Sequence, residues 1–217
     1  MDQIDAIKQI EQDFDQGNAP FDDVEFPEQR LLRELPHKSM EDRLQLISAF
    51  CTFDYNRNAS QLVDNLIELH ERQPNFFNPL TIHKSEKVLE QVFEDIGFRY
   101  PNRDANGWSN NCEILRNQYN GRVTELILSV SSDAPSLVEQ LNEDNFKYLK
   151  GDKIAPMYAR IINDEVCPLD NMWSLNIPVD VHISRLTQEL TNTEMDNDDV
   201  RAWWGVVGKQ EDISRHI

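Results

Sequence analysis

The chain has 217 residues, enough for one sizeable hydrophobic core or for two small lobes of a single domain. Hydrophobic residues make up 39% of it and charged residues 28%, a composition typical of globular rather than disordered proteins. The formal net charge of −18 argues against simple electrostatic attraction to nucleic acid. Such a charge is typical of a protein that avoids polyanions or of one adapted to high salt.

Targeting segments, membrane spans and metal sites are not indicated. No apolar run approaches the length of a membrane-spanning helix, and the acidic start lacks the apolar region of a signal peptide, so we expect a cytoplasmic protein. The three cysteines, Cys51, Cys112 and Cys167, are far apart, which argues against a disulfide framework and excludes a four-cysteine iron–sulfur site within this chain. Zinc-ligand spacing is absent as well, so we expect neither a metal nor a cofactor.

Helical periodicity recurs along the chain, and strand patterns are nearly absent. The predicted elements, in chain order, are a weak amphipathic helix over 2–14, an irregular connector over 18–37, helices over 40–53, 58–71 and 86–96, a polar loop over 97–107, and helices over 108–119, 122–131, 133–143, 153–163, 181–191 and 198–207. Ser39 and Ser85 are candidate N-caps, and Asp133 with Pro135 favours another helix start. About ten helices predict an all-α fold, which we expect to be one two-lobed, monomeric domain over 1–217, with an N-terminal helix and connector over 1–37.

A glycine at a predicted helix junction is the first functional signal. Leu149, Gly151 and the helix after them form a Leu-x-Gly pattern, in which Gly151 permits a positive φ and lets a phosphate approach the backbone closely. The amides at the start of the next helix can bind that anion without any base preference. The pattern alone is equally consistent with an ordinary hairpin of two helices.

Lys153 and Asp180 occur at the starts of two predicted helices. The positive end of the helix dipole disfavours the ammonium form of Lys153, and a neutral amine is a nucleophile. Asp180, within Ile177–His182, is a good N-cap for the helix that follows. Taken singly, a surface lysine and a capping aspartate explain both residues. Together they are a candidate nucleophile and its electrostatic partner, in a stretch (147–162) with a local charge of +3 from four basic residues and one acid.

Other polar and aromatic residues are candidates for a base pocket. The segment from Asp54 to Arg57, at the end of an apolar helix, predicts either a capping network or a pocket wall. A tryptophan is more often a core residue than a base-stacking one. The candidates for the pocket are Asp54, Tyr55, Arg57, Trp108 and Trp173.

Together these residues resemble the helix-hairpin-helix DNA glycosylase superfamily, and they are most similar to its archaeal 8-oxoguanine glycosylase branch. The resemblance rests on Lys153-Ile154-Ala155 after the hairpin and on the run from Pro178 through Asp180 to His182, and it covers about 45 residues (145–190). Family members usually have a hairpin of the sequence Leu-Pro-Gly-x-Gly, and this chain lacks the second glycine. The interval between Lys153 and Asp180 is also longer than in many members.

The resemblance implies a DNA N-glycosylase with AP-lyase activity, acting on double-stranded DNA that contains a damaged or modified base. Lys153 would attack the sugar C1′ of a flipped-out nucleotide, and Asp180 would stabilise the cationic sugar. The phosphate contacts that it implies are those of Lys150, Gly151, His182 and Arg185. Three alternatives stay open: excision of a modified base from foreign phage DNA as a defence activity, a non-catalytic helix-hairpin-helix module that binds DNA or a protein, and an all-α interaction protein, which the net charge favours.

Overall fold

The computed structural model describes residues 3–18, 25–36, 39–82, 85–177, 179 and 181–211, with the side chains of 14, 15 and 209–211 left aside. Within these ranges the prediction of an all-α fold is confirmed: they contain eleven α-helices, two short 3-10 helices and one isolated bridge in place of any sheet. The α-helices are α1 (Gln3–Asp15), α2 (Pro27–Glu34), α3 (Met40–Phe53), α4 (Ala59–Arg72), α5 (Glu86–Ile96), α6 (Pro101–Gln118), α7 (Val123–Ser129), α8 (Ala134–Glu143), α9 (Ile154–Glu165), α10 (Val181–Thr191) and α11 (Asn197–Glu211).

The chain divides into two compact units. The central unit is residues 26–170, and the terminal unit combines residues 1–25 with 171–217. The central unit contains α2 to α9 and the 3-10 helix Pro79–Thr81, whereas the terminal unit contains α1, α10, α11 and the 3-10 helix Met172–Ser174. Each unit has its own apolar core.

In the central unit, α3 lies at the centre of the core. Every residue from Leu44 to Phe53 is buried, as expected of a helix that is apolar on all sides. The helices α2, α4, α6, α7 and α9 all pack against it. At its C-terminal end, the Phe53 ring makes edge-to-face contacts with Phe93, Phe98 and Trp108, at centroid distances of 5.2, 5.6 and 5.9 Å.

The terminal unit has a smaller core on α11. Ile7 from α1, Ile177, and Val200, Trp204 and Val207 from α11 are buried together. The buried indole Nε1 of Trp204 donates a hydrogen bond of 2.8 Å to Thr187 Oγ1 on α10. This satisfied polar contact fixes the tryptophan within the apolar cluster.

Two of the predicted irregular segments are helical instead. Residues 27–34, placed in the connector, form α2, with Pro27 at its start and Leu31 and Leu32 buried. Residues 101–107, placed in a polar loop, form the first turns of α6, with Pro101 at its start and Asp104 buried. Both errors have the same cause. The amide of the first helical residue has no hydrogen-bond partner within the helix, so proline, which lacks the amide hydrogen, can begin a helix at little cost.

The N-cap residues predicted from the sequence agree better with the structure than the predicted irregular segments do. Ser39 caps α3 as expected, since its Oγ accepts a hydrogen bond from the Asp42 amide at 3.1 Å. Asp133 likewise caps α8. Ser85 is the N-cap residue of α5, without a side-chain capping bond. The three cysteines are free. None of the described helices combines the length and the apolar character that crossing a bilayer requires.

Candidate functional site at the start of helix α9

The connection between α8 and α9, residues 144–153, has an unusual backbone. Asn145 and Tyr148 have φ values of 61° and 62°, and Gly151 has a φ of 91°. The first two are uncommon for residues with a side chain, so neighbouring contacts must maintain them. Gly151 adopts the positive φ that glycine permits. A Cβ added to Gly151 would meet no atom within 4 Å, so the space beside this backbone is open.

Lys153 is exposed at the end of this connection. It is the N-cap residue of α9, which begins at Ile154, one residue later than predicted. It makes no side-chain capping bond, and the first turn of α9 contains no acidic residue. Two residues earlier, the Gly151 amide donates a hydrogen bond of 2.8 Å to Asn142 Oδ1, while Lys150 Nζ bonds to Asn145 Oδ1.

Helix α6 holds the other end of the connection. Asn111 accepts a hydrogen bond from the Lys147 amide at 2.8 Å and donates one to the Lys147 carbonyl at 2.9 Å, as a paired backbone would. Its Nδ2 also donates to Thr52 Oγ1 at 3.1 Å. One turn earlier on α6, Gly107 leaves room for the Tyr148 ring, because a Cβ at Gly107 would lie 2.6 Å from that ring. The buried amide and the missing side chain together fix the path that leads to Lys153.

Sequence reasoning missed Asn111 and Gly107. A signal for them was present, because the 106–111 stretch of α6 contains three asparagines and one glycine, residues with low helix propensity. Such residues persist inside a helix when a tertiary contact requires them. Asn106 is a further example, since its Oδ1 accepts a hydrogen bond of 2.6 Å from Lys147 Nζ.

Arginines and tyrosines alternate beside this connection. The guanidinium carbon of Arg103 lies 3.7 Å from the ring centroid of Tyr148 and 4.6 Å from that of Tyr55, and so forms cation–π contacts with both. The Tyr55 ring lies 6.0 Å from Tyr100, over which Arg57 stands at 5.3 Å. We call these five residues the arginine–tyrosine cluster. They place the predicted segment 54–57 next to the α8–α9 connection, and Tyr55 itself is 54% exposed.

A buried carboxylate pairs with both arginines of this cluster. Asp104 is fully buried and accepts hydrogen bonds from Arg57 Nη2 at 2.7 Å and from Arg103 Nη1 at 2.9 Å. Burial raises the pKa of Asp104, and the two guanidinium groups oppose that rise. Paired and hydrogen-bonded in this way, a buried charge is tolerated, whereas removal of one partner is strongly destabilising.

Two further carboxylates, Asp54 and Glu28, have raised pKa values, and the charge of Lys153 acts on the first of them. Asp54 ends α3, and its partial burial raises its pKa, against the lowering effect of Arg57, Arg103 and Lys153. The charge of Lys153 therefore acts on Asp54. Burial also raises the pKa of Glu28, in the first turn of α2, and the negative charge of Asp54 adds to that rise. Glu28 was not a sequence candidate, because its helix was placed in a connector.

The remaining predicted residues belong to both units. Trp108 does not line a base pocket: it is fully buried in the aromatic core, where its Nε1 donates to the Phe76 carbonyl, so this prediction is wrong. Trp173 is 37% exposed in the 3-10 helix of the terminal unit. His182 and Arg185 are exposed on α10 of that unit. Asp180 lies outside the described residues, so its pairing with Lys153 stays a prediction.

The site combines the amine of Lys153 with carboxylates, guanidinium groups and aromatic rings. In the described part of the chain, no three His, Cys, Asp or Glu side chains are grouped to hold a metal ion. Comparisons with protein-family models, curated proteins and solved structures find no match for this chain.

Proposed function

We propose that the protein is a DNA N-glycosylase with AP-lyase activity, in which Lys153 is the nucleophile. The observation that carries this proposal is the position of Lys153, an exposed amine at the N-cap of α9, two residues after the open, left-handed Gly151. A cation at the positive end of a helix costs about 0.3–1 kcal/mol, so helix stability does not explain a lysine there. Access to a substrate held by the preceding backbone does explain it.

The chemistry begins with a flipped-out nucleotide. Lys153 Nζ forms a bond to the sugar C1′ while the bond from C1′ to the base breaks, and the bonding electron pair leaves with the base. Loss of a proton from the attached nitrogen and opening of the sugar ring give a Schiff base. Removal of a proton from C2′ then expels the 3′ phosphate and cleaves the strand. Positioning and charge stabilisation by nearby carboxylates supply several kcal/mol of the barrier reduction.

The carboxylates have separate support. The sequence motif assigns Asp180 the role of stabilising the cationic sugar. Asp54 is a second candidate carboxylate, because burial raises its pKa while Arg57, Arg103 and, least, Lys153 lower it. The arginine–tyrosine cluster supports a nucleobase as part of the substrate, because the exposed Tyr55 ring, backed by Arg103, offers an aromatic face for stacking.

Borohydride trapping on DNA with an abasic site tests the proposal. We expect a covalent adduct with the wild-type protein and with Lys150→Ala, which removes a neighbouring lysine of the same connection, but none with Lys153→Ala. No adduct with the wild type, or the same adduct with Lys153→Ala, would show that the lyase proposal is wrong. A panel of oligonucleotides with damaged and modified bases, tested at low and high salt, then identifies the base and separates repair from defence.

The net charge of −18 favours a second candidate, an all-α interaction protein without a nucleic-acid role. This candidate predicts no binding of duplex DNA even at low salt, where phosphate contacts are strongest. A non-catalytic DNA-binding module would instead bind DNA, and would keep that affinity in Asp180→Asn while releasing no base.

A further inference from the structure

The arginine–tyrosine cluster contains the most exposed aromatic ring in the described part of the chain. Tyr55 is 54% exposed, more than any other aromatic side chain that the structure describes. It lies in the short segment between α3 and α4, where the neighbouring Asn56 has a φ of 45°. A single exposed ring is common on protein surfaces, so the contacts that hold this ring decide whether it has a role.

Arg103 fixes the position of the Tyr55 ring. Its guanidinium carbon lies 4.6 Å from the ring centroid of Tyr55 and 3.7 Å from that of Tyr148. The guanidinium group is itself anchored, since its Nη1 donates hydrogen bonds to the Thr52 carbonyl at 3.2 Å and to Asp104 at 2.9 Å. A ring that is already fixed loses little conformational entropy when a ligand stacks on it, so Tyr55 is preorganised for stacking.

Arg99 adds an exposed cation beside these rings. Its guanidinium carbon lies 5.1 Å from the ring centroid of Tyr100, and the Tyr100 ring lies 6.0 Å from that of Tyr55. One of its nitrogens donates to the Asn56 carbonyl at 2.6 Å, which fixes the side chain at the same turn. A guanidinium group has five N–H donors, so this exposed arginine can bind a phosphate oxygen and keep that bond.

The cluster and the α8–α9 connection form a basic region in an acidic protein. Residues 54–57, 99–104 and 147–153 have six basic and three acidic side chains, a charge of +3, whereas the whole chain has −18. The contact between Arg103 and Tyr148 joins these stretches. One further acid borders the region, since Glu86 accepts a hydrogen bond of 3.0 Å from Asn106, to which Lys147 is also bonded. Local positive charge of this kind favours a polyanionic partner.

We propose that this region binds an unpaired DNA strand, with a base stacked on Tyr55 and a backbone phosphate bound by Arg99. Aromatic rings beside cations are a general means of binding single strands, because every base has a face that can stack. The bases of an intact duplex stack on one another and leave no face for Tyr55. The choice of DNA as the strand rests on the proposed function, whereas the binding itself does not require the amine of Lys153.

Fluorescence anisotropy of a labelled thymidine oligomer of about ten nucleotides tests the contact with Tyr55. We expect Tyr55→Leu to weaken binding at least about fivefold, the lower end of the effect of losing one stacked base, and Tyr55→Phe to keep the affinity. A second oligomer has a tetrahydrofuran residue in place of each nucleoside, and so has the backbone without bases. Tyr55→Leu should bind this oligomer as the wild type does, which also shows that the variant is folded.

Arg99→Gln tests the contact with the backbone. It should weaken the binding of both oligomers, and it should reduce the slope of log affinity against log salt concentration by about 0.7, the value for one phosphate of a single strand. Arg122→Gln is the matched control for charge, because Arg122 is 53% exposed and lies outside the basic region. Phe26→Leu is the control for loss of an exposed ring in the central unit. Both controls should keep the affinity and the salt slope.

Three outcomes would overturn the proposal: no binding of the thymidine oligomer at low salt, undiminished binding in Tyr55→Leu, or tighter binding of a duplex of the same length. Tighter binding of a uridine oligomer would overturn the assignment to DNA. Adduct formation by Lys153 is measured separately by borohydride trapping, so a failure of the lyase proposal and a failure of this one are distinguishable.

Discussion

The starts of α8 and α9 are built in opposite ways. At α8, Asp133 accepts hydrogen bonds from the Ser136 amide at 3.0 Å and from the Ser136 hydroxyl at 2.6 Å. An acid thus stands where the helix dipole favours one, and the helix is stabilised by its own residues. At α9, the corresponding residue is Lys153, a cation without a capping bond.

This difference separates stability from function. Helix α9 forms because α6 fixes the connection before it and because Ala155, Tyr158 and Ile162 are buried, rather than because its own start is favourable. The α8 start is explained by stability alone. The α9 start is not, and that leaves its lysine available for chemistry.

The largest effect on stability is expected from a side chain at Gly107 of α6, which would occupy the space of the Tyr148 ring in the α8–α9 connection. In Gly107→Ala the new Cβ would lie 2.6 Å from the Tyr148 ring, which Arg103 also contacts. We expect the free energy of unfolding to fall by about 1–3 kcal/mol, the usual cost of overpacking. Adduct formation by Lys153 should slow at the same time. Urea unfolding and borohydride trapping measure the two effects.

Gly205→Ala provides the control for this substitution. Gly205 lies within α11, and a Cβ there would meet nothing within 4 Å. Alanine should therefore stabilise the helix by about 0.5–1 kcal/mol and leave the adduct unaltered. Equal changes in stability for the two variants would show that Tyr148 moves aside without cost, and that α6 does not determine the α9 start.

Alanine substitutions at the starts of α8 and α9 should have opposite effects on stability and on adduct formation. Asp133→Ala should lower the free energy of unfolding by about 1 kcal/mol, the typical value of a capping bond, and keep the adduct. Lys153→Ala should abolish the adduct and leave stability the same or higher by about 0.3–1 kcal/mol. Thermal unfolding of both variants gives the comparison. A loss of stability in Lys153→Ala as large as that in Asp133→Ala would mean that the lysine is structural.

The smallest expected effect concerns Asp54 and depends on pH. Burial raises the pKa of Asp54, so the folded state binds its proton more tightly than the unfolded state, in which the pKa is about 3.9. As the pH rises above about 3.9, the unfolded state loses this proton first. The contribution of Asp54 to the free energy of unfolding therefore falls as the pH rises from there through the raised pKa of the folded state. Asp54→Asn removes that dependence. Relative to the wild type, its free energy of unfolding should therefore increase between pH 4 and pH 7, while adduct formation slows.

Asp152→Asn, which removes an exposed carboxylate two residues after Lys150, is the control for loss of one negative charge. Urea unfolding at the two pH values measures the stability of both variants. Lower stability of Asp54→Asn at pH 7 would contradict the expectation, since it would mean that the carboxylate is held by a net favourable ion pair.

The parts of this molecule that the sequence predicted are those determined by neighbours along the chain. Ser39 and α3 follow from a capping residue and a continuous apolar run, and Gly151 with Lys153 follows from a local pattern. Helix α2 was missed because its proline was interpreted as a break. Asn111 was missed because its partner, Lys147, lies 36 residues away. Contacts over such separations leave no local pattern, and the asparagines of α6 became informative only once the fold placed them against the connection.

The two ends of the α8–α9 connection should differ in how fast their amides exchange with deuterium. The Lys147 amide is bonded to the buried Asn111, so it exchanges only when α6 separates from the connection, which is a rare opening of the core. The Gly151 amide is bonded to Asn142, an exposed side chain whose rotation takes picoseconds to nanoseconds. The connection thus has a slow end in the core and a fast end beside Lys153. We therefore expect Lys153 to move on the fast timescale while the core stays closed.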